Sequence, residues 1–180
     1  MAQWKLDQAH TQANFNVRHM MVTTVRGSLG AVSGTITFDP DTPAISAVEA
    51  TIDVAGISTG VEDRDNHLRS GDFFDVENYP HIVFKSTDVE VLNNGEANIT
   101  GDLTIRDVTK PVTLKVEYLG SGNSPFGDTR AGFEATTSIN REDFGLTWNQ
   151  ALESGGVLVG KDVKISLDVQ AILVTKEETA

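Results

Sequence analysis

Apolar and polar residues alternate along most of the chain with a period of two. In the segment 97–105, Ala97, Ile99, Leu103 and Ile105 share one parity, and polar residues occupy most of the other. The alternation recurs in further segments, at 3–17, 29–39, 46–55, 81–92, 112–118, 133–139 and 163–169. A period of two predicts strands with one apolar and one polar face, about eight in number here.

Turn signals separate these segments. Asp39–Pro43, Thr109–Pro111 and Gly120–Asn123 are typical of loops, and Asn94-Gly95 is typical of a tight hairpin. Strands joined in this way become antiparallel neighbours, and a sheet of such strands must hide its apolar face in a barrel or a sandwich. Segments of about ten residues exceed the usual strand length and favour the barrel. We therefore predict a single all-β domain over residues 1–180, an eight-stranded antiparallel barrel.

A short helix is predicted at about 59–70. Thr59 and Glu62 fit a capping box, with Thr59 as the N-cap residue. Asp65 and Arg69 are spaced to form an ion pair on one helix face. We expect this helix to close one end of the barrel.

Two further segments are assigned to the ends of the barrel. The segment 19–25 interrupts the alternation and is predicted to form a helical turn, in which Met20 and Met21 would provide a pliable lid. Phe73 and Phe74 follow the predicted helix and are expected to form its apolar plug.

Charge and composition exclude several function classes. The chain has 180 residues, a formal net charge of −12 and no cysteine. The negative charge argues against nucleic acid or an anionic membrane surface as a main partner, because both attract clustered Lys and Arg. The lack of cysteine excludes disulfides, thiolate metal sites and cysteine nucleophiles.

The location of the protein is predicted from the absence of targeting segments. No run of about 18 apolar residues is present, so no integral membrane segment is expected. The first residues lack the features of a signal peptide, so a cytoplasmic protein is expected. The alternative is the mature form of a periplasmic or secreted protein.

Catalysis and metal binding have weak support in the sequence. Asp63 and His67 are spaced as a two-ligand half site, but a zinc site needs three or four ligands, and we expect no metal, no cofactor and no catalytic residue. Arg64 and His67 are expected to hydrogen-bond to neighbouring loops, such as the one that holds Asp143. The alternative function is a lipid- or small-molecule-modifying enzyme that uses His19 or His67 with the nearby carboxylates.

Apolar side chains from several strands form a candidate cavity wall. These residues either fill a core or surround a ligand, and an eight-stranded barrel is wide enough for both. The candidates, together with the plug and lid residues, are Phe15, Met20, Met21, Ile36, Phe38, Ile52, Phe73, Phe74, Phe84, Leu103, Ile105, Leu114, Phe133 and Leu167.

Four sequence blocks resemble the YceI-like family of bacterial proteins, which are polyisoprenoid-binding and lipocalin-like. The resemblance extends from Trp4 to about Val174. The blocks are Trp4–Thr11 continuing to Phe15–Met20; Arg64–Ser70 with Asp72–Asp75 and Tyr79-Pro80; Gly101–Ile105 with Val108–Val112; and Ile139–Leu146 with Val159–Val163.

The resemblance implies a lipocalin-like barrel whose apolar cavity holds a long lipid-like chain, typically an isoprenoid. It therefore implies non-enzymatic binding, transport or storage of a polyisoprenoid or an isoprenoid quinone. A homodimer is also expected from the family.

Overall fold

Nine β-strands and one α-helix form the framework of this computed structural model, which describes residues 2–93 and 95–175. The strands are β1 Gln3–Leu6, β2 Gln12–His19, β3 Thr23–Thr37, β4 Ala47–Asp53, β5 His81–Asn93, β6 Glu96–Ile105, β7 Val108–Asn123, β8 Thr129–Asn140 and β9 Val159–Leu173. The helix α1 is Glu62–Arg69, and short 3-10 turns lie at Gln8–His10, Pro43–Ile45, Val54–Gly56 and Arg141–Phe144.

The strands close into a barrel in which β1 and β2 share one position. Both pair with β3 on one side and with β9 on the other, and the remaining strands follow in chain order around the barrel until β4 meets β3. The predicted eight-stranded antiparallel barrel is therefore confirmed. The expected continuous strand over 3–17 is wrong, because the Gln8–His10 turn interrupts it. The Asp7 carboxylate caps that turn by accepting a hydrogen bond from the backbone N–H of Ala9.

The two ends of the barrel differ in their connections. One end, called here the helix end, carries the β2–β3, β4–β5, β6–β7 and β8–β9 connections, and α1 lies in the β4–β5 connection. The other, called the opposite end, carries the β3–β4, β5–β6 and β7–β8 connections and the first residues of β1. The predicted Asn94-Gly95 hairpin turn joins β5 to β6, and Asn94 lies outside the described residues.

Inward and outward faces alternate along the strands as the sequence pattern predicts. In β6, Ile99, Leu103 and Ile105 are buried, whereas Asp102 is exposed on the outer face. Ile99 pairs with Leu114 of β7, so adjacent strands present their apolar residues to the same interior. None of the helices among the described residues is long and apolar enough to cross a membrane.

The predicted helical turn at 19–25 is wrong, because this segment is a β-hairpin. His19 ends β2, Thr23 begins β3, and the N–H of Val22 donates to the carbonyl of His19 at 3.2 Å. Met20 and Met21 adopt left-handed backbone conformations, with φ of 53° and 63°. This conformation normally favours glycine or asparagine, so two methionines give no sequence signal for such a turn.

The predicted helix is confirmed, but its first residues differ from the prediction. α1 begins at Glu62 with Val61 as its N-cap residue, and Thr59 does not cap it. Asp65 is buried and accepts hydrogen bonds from the backbone N–H and the hydroxyl of Thr59. Arg69 donates to the backbone carbonyls of the preceding connection rather than to Asp65. Both side chains therefore fasten α1 to the connection before it.

Candidate functional site

A cavity of about 920 Å³ occupies the interior of the barrel. Its wall is largely apolar and includes residues from every strand position and from the helix end. A volume of this size lies in the range of small-molecule sites, and the interior of this barrel is therefore not fully packed. Of the two alternatives left by the sequence, the structure shows a cavity.

Most of the predicted wall residues line this cavity. They are Phe15, Ile36, Phe38, Ile52, Phe73, Phe74, Phe84, Leu103, Ile105, Leu114, Phe133 and Leu167. That these side chains contact a ligand stays a prediction.

Met20 and Met21 are the predicted residues that do not line the cavity. They lie at the tip of the β2–β3 hairpin and are 47% and 59% exposed. The sulfur of Met21 packs closely over Gly156 of the β8–β9 connection. The two methionines thus lie at the helix end and do not line the cavity, and their predicted role as a lid or mouth stays a prediction.

Aromatic side chains gather at the opposite end of the cavity. Phe38, Tyr118 and Phe133 contact one another with ring centroids 4.8 to 5.4 Å apart. Tyr118 is a wall residue that the prediction omitted, although it continues the inward parity of β7. Trp4 adjoins this group, since its indole N–H donates to the carbonyl of Phe38 at 3.0 Å.

A second aromatic group lies at the helix end and includes His67. The imidazole ring of His67 packs edge-on against Trp148 and Phe73, with centroid distances of 4.6 and 5.1 Å. Its Nε2 lies 2.9 Å from a carboxylate oxygen of Asp72. His67 also lines the cavity, so this ring is held in place at the wall.

Arg64 also lines the cavity at the helix end. Its Nε donates to the hydroxyl of Thr59 at 2.7 Å, and its Nη2 donates to the carbonyl of Thr59 at 3.0 Å. Arg64 bonds to Thr59 and His67 bonds to Asp72, so both side chains bond to neighbouring connections as expected. Neither partner lies in the loop that holds Asp143.

Arg141 is a buried wall residue that the prediction missed. It is 4% exposed, and its guanidinium donates to four backbone carbonyls, those of Leu146, Trp148, Val159 and Gly160. Burial lowers the pKa of Arg141, and an arginine nevertheless stays charged at neutral pH. Arg141 thus anchors the long β8–β9 connection and brings a positive charge to the helix end of the cavity.

An ion-pair cluster outside the cavity fixes the N-terminal turn to β8. Arg130 contacts carboxylate oxygens of Asp7 at 3.0 Å and Asp128 at 2.9 Å. The hydrogen bond from His10 lowers the pKa of Asp7, and the hydrogen bonds from Arg130 and Ser124 lower the pKa of Asp128. The bond to Asp128 also raises the pKa of Arg130.

An antiparallel eight-stranded barrel around an apolar cavity defines a lipocalin-like protein. The model of the YceI-like domain matches residues 4–171, and the chain belongs to the YceI-like family.

Known proteins of similar sequence and structure agree with this assignment. A UPF0312 protein of Vibrio parahaemolyticus is 41% identical over 138 residues, which covers 77% of this chain and 73% of the relative. BcnA of Burkholderia cenocepacia superposes with a TM-score of 0.80 at 24% identity, covering 92% of this chain and 98% of BcnA.

A third similar protein carries a functional description. It is a polyisoprenoid binding domain from Saccharophagus degradans implicated in plant cell wall breakdown. It superposes with a TM-score of 0.70 at 14% identity, covering 95% of this chain and 98% of that domain. At this level of identity, as with BcnA, the likeness shows the shared fold.

Proposed function

We propose that this protein binds a long-chain apolar amphiphile, most specifically a polyisoprenoid or isoprenoid quinone, inside its barrel. The observation that carries the proposal is the apolar cavity of about 920 Å³. Each CH₂ group buried in such a wall gains about 0.8 kcal/mol, so a long chain binds tightly with few polar contacts. The Saccharophagus degradans domain, described as polyisoprenoid binding, supports this choice of ligand.

Binding without catalysis agrees best with the polar groups at the wall. The contact between His67 and Asp72 is the pair from which an enzyme mechanism would start. The two side chains are 39% and 51% exposed, and the imidazole is confined by two aromatic rings. We propose that His67 shapes the helix end of the cavity. If the wild type and a His67→Ala variant that retains its fold carry the same unmodified ligand, this role is supported. A modified ligand in the wild type alone supports an enzyme.

Mass spectrometry of the bound molecule tests the proposed function. The purified full-length protein is extracted with organic solvent, and the extract is analysed for prenyl and acyl compounds. The emptied protein is then incubated with a prenyl alcohol and with an isoprenoid quinone. An empty extract together with failure to take up either compound would refute the proposal.

Two arginine substitutions on β8, one on its inner face and one on its outer face, form a matched pair of variants. Phe133→Arg places a charge in the wall among aromatic rings, and we expect it to abolish ligand retention. Thr136→Arg introduces the same side chain on the exposed face of β8 and should retain the ligand. Equal ligand loads in the two variants would remove Phe133 from the binding wall.

We also propose storage or transport as the use of this binding, with a cytoplasmic location and a homodimer as expectations from the sequence. Light scattering at several protein concentrations measures the oligomeric state, and cell fractionation measures the location. Transfer of a loaded prenyl compound from the protein to empty vesicles separates transport from storage.

A further inference from the structure

The charged residues of the cavity wall are segregated between its two ends. The basic side chains in the wall belong to Arg18, His19, Arg64, His67 and Arg141, and all lie at the helix end. Within the described part of the chain, the wall contains one carboxylate, that of Glu96, and it lies at the opposite end. The cavity wall therefore carries positive charge at the helix end and negative charge at the opposite end.

The three arginines of the cavity wall form no ion pair with a carboxylate of the described residues. Arg18 donates to the hydroxyl of Thr24 and to the carbonyl of Met21. Arg64 and Arg141 likewise donate to a hydroxyl or to carbonyls. No carboxylate of a described residue lies within 4.0 Å of these three guanidinium groups.

This lack of ion pairs is informative because the chain is rich in acids. Asp and Glu number 26 against 14 Lys and Arg. Two acids at this end have other partners, since Asp65 accepts from Thr59 and Asp72 contacts His67. Glu142 acts electrostatically on Arg141 but does not form an ion pair with it.

Arg18 is exposed where β2 ends and Arg64 is partly buried, and neither is neutralised by an ion pair, so both guanidinium groups are available to a ligand at this end. Arg141 adds a buried positive charge behind them.

We propose that the helix end binds an anionic head group, a carboxylate or a phosphate, and that the apolar tail extends toward the opposite end. The inference rests on the proposed function and narrows it to an amphiphile that carries an anionic head group, such as a prenyl phosphate or a carboxylic acid, in place of a neutral quinone. It also adds the orientation of the ligand. Guanidinium groups form charge-assisted hydrogen bonds with carboxylate and phosphate oxygens, and such bonds are stronger where water is excluded. The reverse orientation would place the anion beside Glu96 and hydrocarbon against the arginines, and both contacts are unfavourable.

The two tryptophans of the chain report the orientation. Trp148 lies at the helix end beside His67, and Trp4 lies at the opposite end beside Phe38. The Trp148→Phe variant keeps only Trp4, and the Trp4→Phe variant keeps only Trp148, so the fluorescence of each tryptophan is measured separately. Hexadecanoic acid brominated at its terminal carbon should quench Trp4 fluorescence more strongly than Trp148 fluorescence. Stronger quenching of Trp148 would overturn the proposed orientation.

A ligand series with one tail and different head groups tests the ligand class. The emptied full-length protein is titrated with hexadecanoate, hexadecyl phosphate, hexadecanol and hexadecylamine. We expect the two anions to bind at least about tenfold more tightly than the alcohol, since a hydrogen bond to a charged group contributes about that factor or more. Equal binding of all four compounds would overturn the head-group assignment and leave the proposed function intact. Failure of all four compounds to bind, with uptake of a prenyl alcohol, would overturn this inference alone. Failure of the prenyl alcohol as well would overturn both.

A charge-matched pair of variants assigns the preference to the wall. Arg18→Gln combined with Arg64→Gln should weaken the binding of the two anions more than that of hexadecanol, and so reduce the preference for anions. Arg26→Gln combined with Lys164→Gln removes the same charge from exposed outer positions and should keep the preference. Loss of the preference in the outer variant would attribute it to the overall charge of the protein and overturn the inference.

Discussion

A single substitution, Ala135→Phe, distinguishes a ligand cavity from a packed core. Ala135 lies on β8 between Val116 of β7 and Leu167 of β9, and all three residues line the cavity. A phenyl ring added at this position points into the open volume. The matched control is Ala171→Phe, because Ala171 is 0% exposed, lies between Leu6 and Ala131, and does not itself line the cavity.

The two substitutions should change stability in opposite directions. Burial of a phenylalanine side chain gains about 1.5–3 kcal/mol, and an alanine methyl contributes about 0.8 kcal/mol, so Ala135→Phe should stabilise the empty barrel by about 1–2 kcal/mol. For a chain of this size, that is a rise in melting temperature of about 2–8 °C. Ala171→Phe adds the same ring where no space exists, and overpacking should cost about 1–3 kcal/mol.

Ligand binding should respond to the same ring with the opposite sign. Displacement of three methylene groups from the cavity costs about 2.4 kcal/mol, which is roughly a fiftyfold increase in the dissociation constant. Urea denaturation of the emptied proteins measures stability, and extraction with mass spectrometry measures the ligand load. If Ala135→Phe is as destabilising as Ala171→Phe, the interior is filled by side chains in solution and the cavity argument fails.

Three further changes test other parts of the structure. Gly34→Ala should destabilise the protein by about 1–3 kcal/mol or more in urea denaturation, because Gly34 has φ of 149° and an added Cβ would collide with the carbonyl oxygen of Glu49; unchanged stability would show that β3 relaxes there. Arg141→Met should cost at least about 3 kcal/mol and expose the β8–β9 connection to proteolysis, since it leaves four carbonyls without their donor; resistance equal to that of the wild type would contradict the anchoring role. The lowered pKa of Asp128 means that its contribution to stability is complete above its ordinary value of about 4 and is lost as the pH falls through the lower folded-state pKa. Asp128→Asn should therefore lower stability at pH 7 and flatten the loss below about pH 4, and an unchanged acid profile would assign that loss to other carboxylates.

The sequence pattern predicted the wall because strand parity is a local property. An alternation such as that of β6 places Ile99, Leu103 and Ile105 inside whenever one face is buried. The Met20–Met21 turn was mispredicted because a left-handed backbone at two methionines has no compositional signal. Likewise, Thr59 satisfies the sequence rule for an N-cap, yet its hydroxyl bonds to Asp65 from outside the helix.

The charged end of the cavity was harder to predict than its apolar wall. Arg141 follows the end of β8, where the period of two no longer applies. Its guanidinium bonds to carbonyls of the following connection and of the first residues of β9, up to 19 residues away in sequence. Arg18 would be assigned to the outer face by parity, since it alternates with Val17, which also lines the cavity. Arg18 and Arg141 lie where β2 and β8 end, so strand parity does not predict that they line the cavity.

Side-chain size explains why this barrel retains a cavity rather than a filled core. An eight-stranded barrel is just wide enough for side chains to fill its interior, so the outcome depends on which residues take the inward positions. Two groups of aromatic rings lie at the ends of this barrel, and Phe15 and Phe84 add single rings between them. In contrast, Ala50, Val116 and Ala135 lie at inward positions near the middle of their strands. Short side chains on facing walls do not reach one another, and the unfilled volume remains between them. A cavity is therefore favoured in a sequence where small residues, rather than leucines and aromatics, take the inward positions near the middle of the strands. The response to Ala135→Phe tests this argument in the folded protein.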